Sequence, residues 1–117
     1  MPYDLEDRTA RFAESVIDLV KSIKINSINQ RIVSQIVGSA GSIGANYCEA
    51  NESESKKDFV HKIKIATKEI KETRHWLRLL LRTESCKAKE IDKLTCENTE
   101  LLMIFSKIIK NCNREDE

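Results

Sequence analysis

A chain of 117 residues has room for a modest hydrophobic core, and at this size association between copies often adds stability. Its 40% hydrophobic and 33% charged content fits a soluble globular protein, and no apolar run approaches the ~20 residues that cross a bilayer. The net charge of +1 conceals an uneven spread: residues 1–54 carry five basic and eight acidic side chains, residues 55–93 twelve and six, and residues 94–117 three and five.

With one Pro and three Gly, helix is the expected state along the whole chain. From Asp4 onward, Leu5, Thr9, Phe12, Val16, Leu19 and Ile23 recur at steps of four and three, which predicts a first helix over 4–24. Ser27 and Gln30 have capping-box spacing, and Ile32, Ile36, Ser39, Ile43, Asn46 and Ala50 continue the rhythm, giving a second helix over 27–50. A polar turn follows at 51–54. Ser55 with Asp58 offers the next cap, and Phe59, Ile63, Ala66, Ile70, Thr73, Leu77 and Leu80 carry the clearest stripe, for a third helix over 55–82. Ser85 is the expected cap of a fourth helix over 86–111, with Ile91, Leu94, Asn98, Leu101, Phe105, Ile108 and Cys112 on its inner face. Residues beyond 111 are polar and expected to fray. Short links force sequential helices to run antiparallel, so the prediction is all-α: an antiparallel up-down-up-down four-helix bundle in one domain over 1–117.

Cys48, Cys86, Cys96 and Cys112 form no Cys-x-x-Cys pair, and no basic-then-apolar leader opens the chain. The expectation is a cytoplasmic protein with reduced thiols that serve mostly as packing residues.

Three features lie off the core stripes. Lys57, Lys64, Lys68, Lys71, Arg78 and Arg82, joined by His75, fall within a sector ~80° wide on the third helix, nearly opposite its core stripe. Such a face suits an anionic partner such as a nucleic-acid backbone; a solvated helix surface is the plainer reading, and base stacking lacks the interleaved aromatics it needs. Ile65, Trp76 and Leu79 flank the core in another sector, where an exposed Trp beside aliphatic groups marks a contact between subunits, unless a wide core absorbs them. On the second helix Ser34, Gly38, Gly41 and Ala45 make a stripe of small residues; close approach of another backbone, or a kink at 41–44, would compensate a helix penalty of about 1 kcal/mol per glycine. Ser42, Asn46, Glu49, Glu69 and Glu72 are candidates for a polar network within or between subunits, with a small-ligand pocket around Asn46 and Glu72 as the minor reading.

No enzymatic signature emerges. Glu72 and His75 have the Glu-x-x-His step of di-iron bundles but lack the second copy and the two further Glu that such sites need, so neither metal nor cofactor is expected. His61 and His75 have no evident Ser or Cys partner in sequence.

At SAGSIGANYCEA and DFVHKIKIATKEIKETRHWLRLL, within 39–81, the chain resembles the four-helix bundle proteins encoded in bacterial 23S ribosomal RNA intervening sequences. That resemblance implies assembly as a homopentameric ring, without established activity. The similar accessory proteins of diversity-generating retroelements bind nucleic acid and a reverse transcriptase through a basic ring. Ser42, Gly44, Asn46, Glu49, Glu69 and Glu72 match the shared positions, and Lys68 and Leu77 fit the pattern. Cys48 departs from it, standing where a basic residue is common, and the near-neutral total charge departs from the strongly basic retroelement relatives. The resulting expectation is a non-enzymatic bacterial protein whose partners are copies of itself and, weakly, RNA or DNA, with no membrane. The alternative is a scaffold for a co-encoded protein such as a reverse transcriptase, with no nucleic-acid role of its own.

Overall fold

The computed structural model describes residues 4–115 and is all-α, with no strand among the described residues. Helix α1 spans Leu5–Lys21, α2 Gln30–Asn51, α3 Lys56–Thr83 and α4 Ala88–Glu115, with a short 3-10 turn at Ser85–Lys87 leading into α4. The bundle measures 49 × 21 × 21 Å, matching the ~42 Å that a helix of α3's length spans at 1.5 Å per residue.

Each helix packs on its two neighbours in chain order, α1 closing the square against α4; the α2–α3 contact is the most extensive and the α1–α4 contact the least. Pairings between helices fix the directions. Ser39 meets Thr73 while Glu49 meets Lys62, so residue numbers rise along α2 as they fall along α3. The core gathers the residues whose spacing predicted it. Leu5, Phe12, Val16, Ile36, Ile43, Ile63, Ile70, Leu77, Leu80, Ile91, Leu101 and Phe105 are almost wholly shielded from water, and each such side chain contributes roughly 1.5–3 kcal/mol by its burial. Tyr47 and Phe105 close the α2–α4 diagonal with ring centroids 5.7 Å apart.

The helix starts follow local hydrogen bonding, and here the sequence-based bounds need adjustment. Asp4 Oδ1 accepts from the Asp7 N–H and Ser55 Oγ from the Asp58 N–H, each satisfying a donor that the first turn leaves free. Ser27 caps nothing in α2. The link instead folds on two asparagines: Asn26 Oδ1 accepts from the Ile28 and Asn29 N–H groups, and the buried Asn29 accepts from the Asn26 N–H while donating to the Lys24 carbonyl and to Glu84. This compact loop ends α1 at Lys21, yet Ile23 stays in the core. Ser85 opens the 3-10 turn rather than capping α4, and α4 is helical to Glu115, past the expected bound at 111.

Candidate assembly and nucleic-acid surfaces

The basic stripe is present as a surface. Lys57, Lys64, Lys68, Lys71, Arg78 and Arg82 are all exposed along α3, as is His75, whose ring meets the Trp76 ring edge-on at 4.9 Å. The sequence makes this face inevitable once Ile63, Ala66, Ile70, Thr73, Leu77 and Leu80 turn inward, because 100° per residue then carries the six cations to the far side.

Ile65, Trp76 and Leu79 are half-buried rather than exposed. Trp76 packs against the core, and its indole N–H is shielded from solvent and meets no acceptor among the described residues. Helical phase turns Trp76 toward the α2 side of α3, the most extensive helix contact in the bundle. Each of these three side chains keeps part of its surface open.

Within one protomer the five candidate polar residues do not join into one network. Asn46 Nδ2 donates to the Ser42 carbonyl at 2.8 Å, within one turn of α2. Glu49 pairs with Lys62 at 2.7 Å. Glu69 lies beside Glu72, and its carboxyl is held above the ordinary carboxylate range, first by burial and then by its neighbour's charge and hydrogen bond. A buried hydroxyl pair lies deeper: Thr73 and Ser39 meet at 2.8 Å, and Thr73 also lies 2.8 Å from the Glu69 carbonyl. This pair joins α2 to α3 inside the core.

The small-residue stripe of α2 has two different meanings. A Cβ on Gly44 would stand 2.9 Å from Thr9 Oγ1 and 3.3 Å from Thr9 Cβ, so α1 approaches α2 closely at that point. At Gly38 and Gly41 a Cβ would meet nothing within 4 Å. No backbone of the same protomer takes up that space, and α2 runs unbroken past 41–44.

One signal was in the sequence and was missed. Residues 32–48 contain no Asp, Glu, Lys or Arg, in a chain that is 33% charged. The structure shows why this matters, since Ser34, Gly38, Gly41 and Ala45 are exposed and Gln35, Val37, Ser42 and Asn46 half-exposed along that segment. Helical phase carries the uncharged surface across to α1 at Ala10, Ala13, Ile17 and Val20, where Ile17 is 43% exposed. On its other flank it meets the open edges of Ile65, Trp76 and Leu79. A solvated helix ordinarily carries charge along its outer face; between Arg31 and Glu49 this one carries none.

The thiols are unpaired. Cys86 and Cys96 are exposed and Cys48 and Cys112 half-buried, so the packing role expected for most of them does not describe the two exposed ones. Desolvation, and then the Glu6 carboxylate 3.5 Å away, push the Cys48 thiol up. Two cavities lie away from Asn46 and Glu72. A groove of about 1070 Å³ opens between α1 and α4 over Phe12, Leu19 and Leu94, with side chains of both charges on its walls. A smaller cleft, about 500 Å³, sits where α3 begins and α4 ends. Among the described residues no helix is long and apolar enough to cross a membrane.

The sequence model of the 23S rRNA-intervening sequence protein family matches residues 3–107. The chain belongs to that family. A crystal structure of another member of the S23 ribosomal protein family, a protein of unknown function from Bacteroides thetaiotaomicron, is similar at 35% identity, covering 90% of this chain and 97% of the other with a TM-score of 0.78. No curated protein matches this intervening-sequence protein.

Proposed function

We propose that this intervening-sequence protein is a non-enzymatic assembly protein, a homo-oligomeric ring whose outward basic stripes bind RNA or DNA weakly. The observation that carries this reading is the segregation of charge: over residues 32–48 the exposed face of α2 carries none, with Arg31 and Glu49 only at its ends, while the outer face of α3 carries six cations. An uncharged, small-residue surface suits burial against another copy, because a second helix can approach closely over Gly38 and Gly41 without stranding a charge. The flanking edges of Ile65, Trp76 and Leu79 extend that surface, and the α3 stripe lies beyond it. Five is the subunit number that the family resemblance implies.

In a ring, each stripe is repeated by symmetry, so contacts weak in one copy add through effective concentration. Each Lys or Arg that neutralises a phosphate releases a counterion, making affinity fall steeply with salt. Titration of labelled RNA at several salt concentrations tests this. A steep salt dependence that is lost when Lys64, Lys68 and Lys71 are all changed to Glu is the expected result. Absent or salt-independent binding would leave a protein scaffold in its place.

A further inference from the structure

The smaller cleft, at the end of the basic stripe, differs from the rest of that surface. Among the described residues it is lined by Lys56, Lys57, Val60, His61, Lys64 and Asn113, none of them a carboxylate. The half-buried Val60 supplies its apolar wall, while Lys57, His61, Lys64 and Asn113 are exposed and can turn donors into it. Lys56, already engaged in an interaction of its own, adds a positive charge to the wall. The cleft also lies at the first turns of α3, a helix of 28 residues whose N-terminal dipole favours anions. The larger groove between α1 and α4 has no such bias, since Asp7 and Glu97 share its walls with Arg11 and Lys93.

Resting on the nucleic-acid reading above, we infer that this cleft receives the 5′-terminal phosphate of a nucleic-acid strand whose backbone then tracks the α3 stripe. Size and charge lead to the strand end in particular. About 500 Å³ is enough for one nucleotide-sized group. A terminal phosphate monoester carries roughly −1.5 to −2 charges at neutral pH against −1 for each internal diester, so a concave cluster of cations favours it. The position agrees. Lys57 and Lys64 line the cleft and also begin the stripe, which continues through Lys68, Lys71 and Arg78 to Arg82, a run of ~37 Å along the helix. The cleft sets where the strand starts, and the stripe supports the nucleotides downstream of that end.

The test compares two RNA oligonucleotides labelled at the 3′ end and identical except for a 5′-phosphate or a 5′-hydroxyl, by fluorescence anisotropy at fixed salt. The wild-type chain should bind the phosphorylated strand about tenfold more tightly, the gain expected from charge-assisted contacts to the added oxygens. Asn113→Asp, on α4 and off the stripe, should remove most of that preference while changing affinity for the 5′-hydroxyl strand less than twofold. Equal affinity of the wild type for both strands overturns the cleft assignment and leaves the stripe reading standing. If neither strand binds, both readings fall. In that case adenosine 5′-monophosphate, titrated while the His61 imidazole resonances are followed by NMR, distinguishes a free-nucleotide site from no phosphate site, and either result refutes the strand-end role.

Discussion

Alanine at each of the three glycines of α2 should have opposite effects on the stability of the protomer, because the same helix is crowded at one of them and open at the other two. Removing a glycine from a helix interior gains about 1 kcal/mol wherever the new methyl group finds space. At Gly41 it does, with nothing within 4 Å, and Gly41→Ala should raise the unfolding free energy by about that amount. At Gly44 the methyl group would stand 2.9 Å from Thr9 Oγ1 and 3.3 Å from Thr9 Cβ. Rotation of Thr9 offers little relief. Its hydroxyl is bonded to the Leu5 carbonyl at 2.7 Å, the residue is 1% exposed, and the contact with its Cβ does not depend on the rotamer. Overpacking of this kind costs roughly 1–3 kcal/mol, so Gly44→Ala should lose up to about 2 kcal/mol net and lie about 2 kcal/mol below Gly41→Ala. Urea unfolding at equal protomer concentrations measures both, since association adds a concentration-dependent term. A Gly44→Ala variant as stable as Gly41→Ala would refute the close approach of α1 to α2. Gly41→Ala carries a second readout: if copies pack over α2, the methyl group that stabilises the isolated protomer should weaken association.

The remaining predictions concern polar groups inside and around the bundle. Asn98 is 1% exposed and donates to the Ile70 carbonyl at 3.0 Å, while its own Oδ1 is buried without a donor; Asn98→Leu should therefore stabilise the fold by about 1 kcal/mol in urea unfolding, whereas a clear loss would show that the bond to Ile70 outweighs the orphaned oxygen. Glu69 is held above its ordinary value of 4.5 by burial and then by Glu72, so the native chain binds that proton more tightly than the unfolded one. Its contribution to stability is fully present below pH 4.5 and is lost as pH rises through the raised value. Glu69→Gln should flatten this fall, gaining on the wild type above that window and matching it below; an unchanged pH profile would count against the carboxyl pair. Arg8 grips Glu97 through two bonds of 2.7 and 2.8 Å across the loosely packed α1–α4 side, and a double-mutant cycle with alanine should give a coupling of about 1 kcal/mol, with zero coupling showing that solvent screens the pair.

The sequence made some parts of this molecule legible because they rest on local physics. Three-four spacing decides which side of a helix is apolar, so Ile63, Ile70, Leu77 and Leu101 could be placed inward before any coordinates. Ser55 could be read as a cap because an N-cap needs only its own turn. Ser27 could not be rejected locally, since the buried Asn29 wins through Lys24 and through Glu84, 55 positions away. Trp76 reads as exposed in sequence, though it is half-buried, for a similar reason: a helical wheel gives direction from an axis but not how near the next axis comes. The glycines show the limit most plainly. Gly38, Gly41 and Gly44 are alike in sequence, and only Thr9 on another helix separates the crowded position from the open ones. The uncharged run over 32–48 needed no coordinates to be noticed, but it needed them to be recognised as surface.

The central claim is that the uncharged face of α2 is covered by another copy. Its most direct test is the solution mass of the wild-type chain by light scattering across a range of concentrations, beside Ala45→Glu, which sets a charge on that face. The account predicts a multiple of the 13.4 kDa protomer mass, five in the proposed ring, that collapses toward the protomer in the variant. A wild-type chain that keeps the mass of one protomer at every concentration would contradict it.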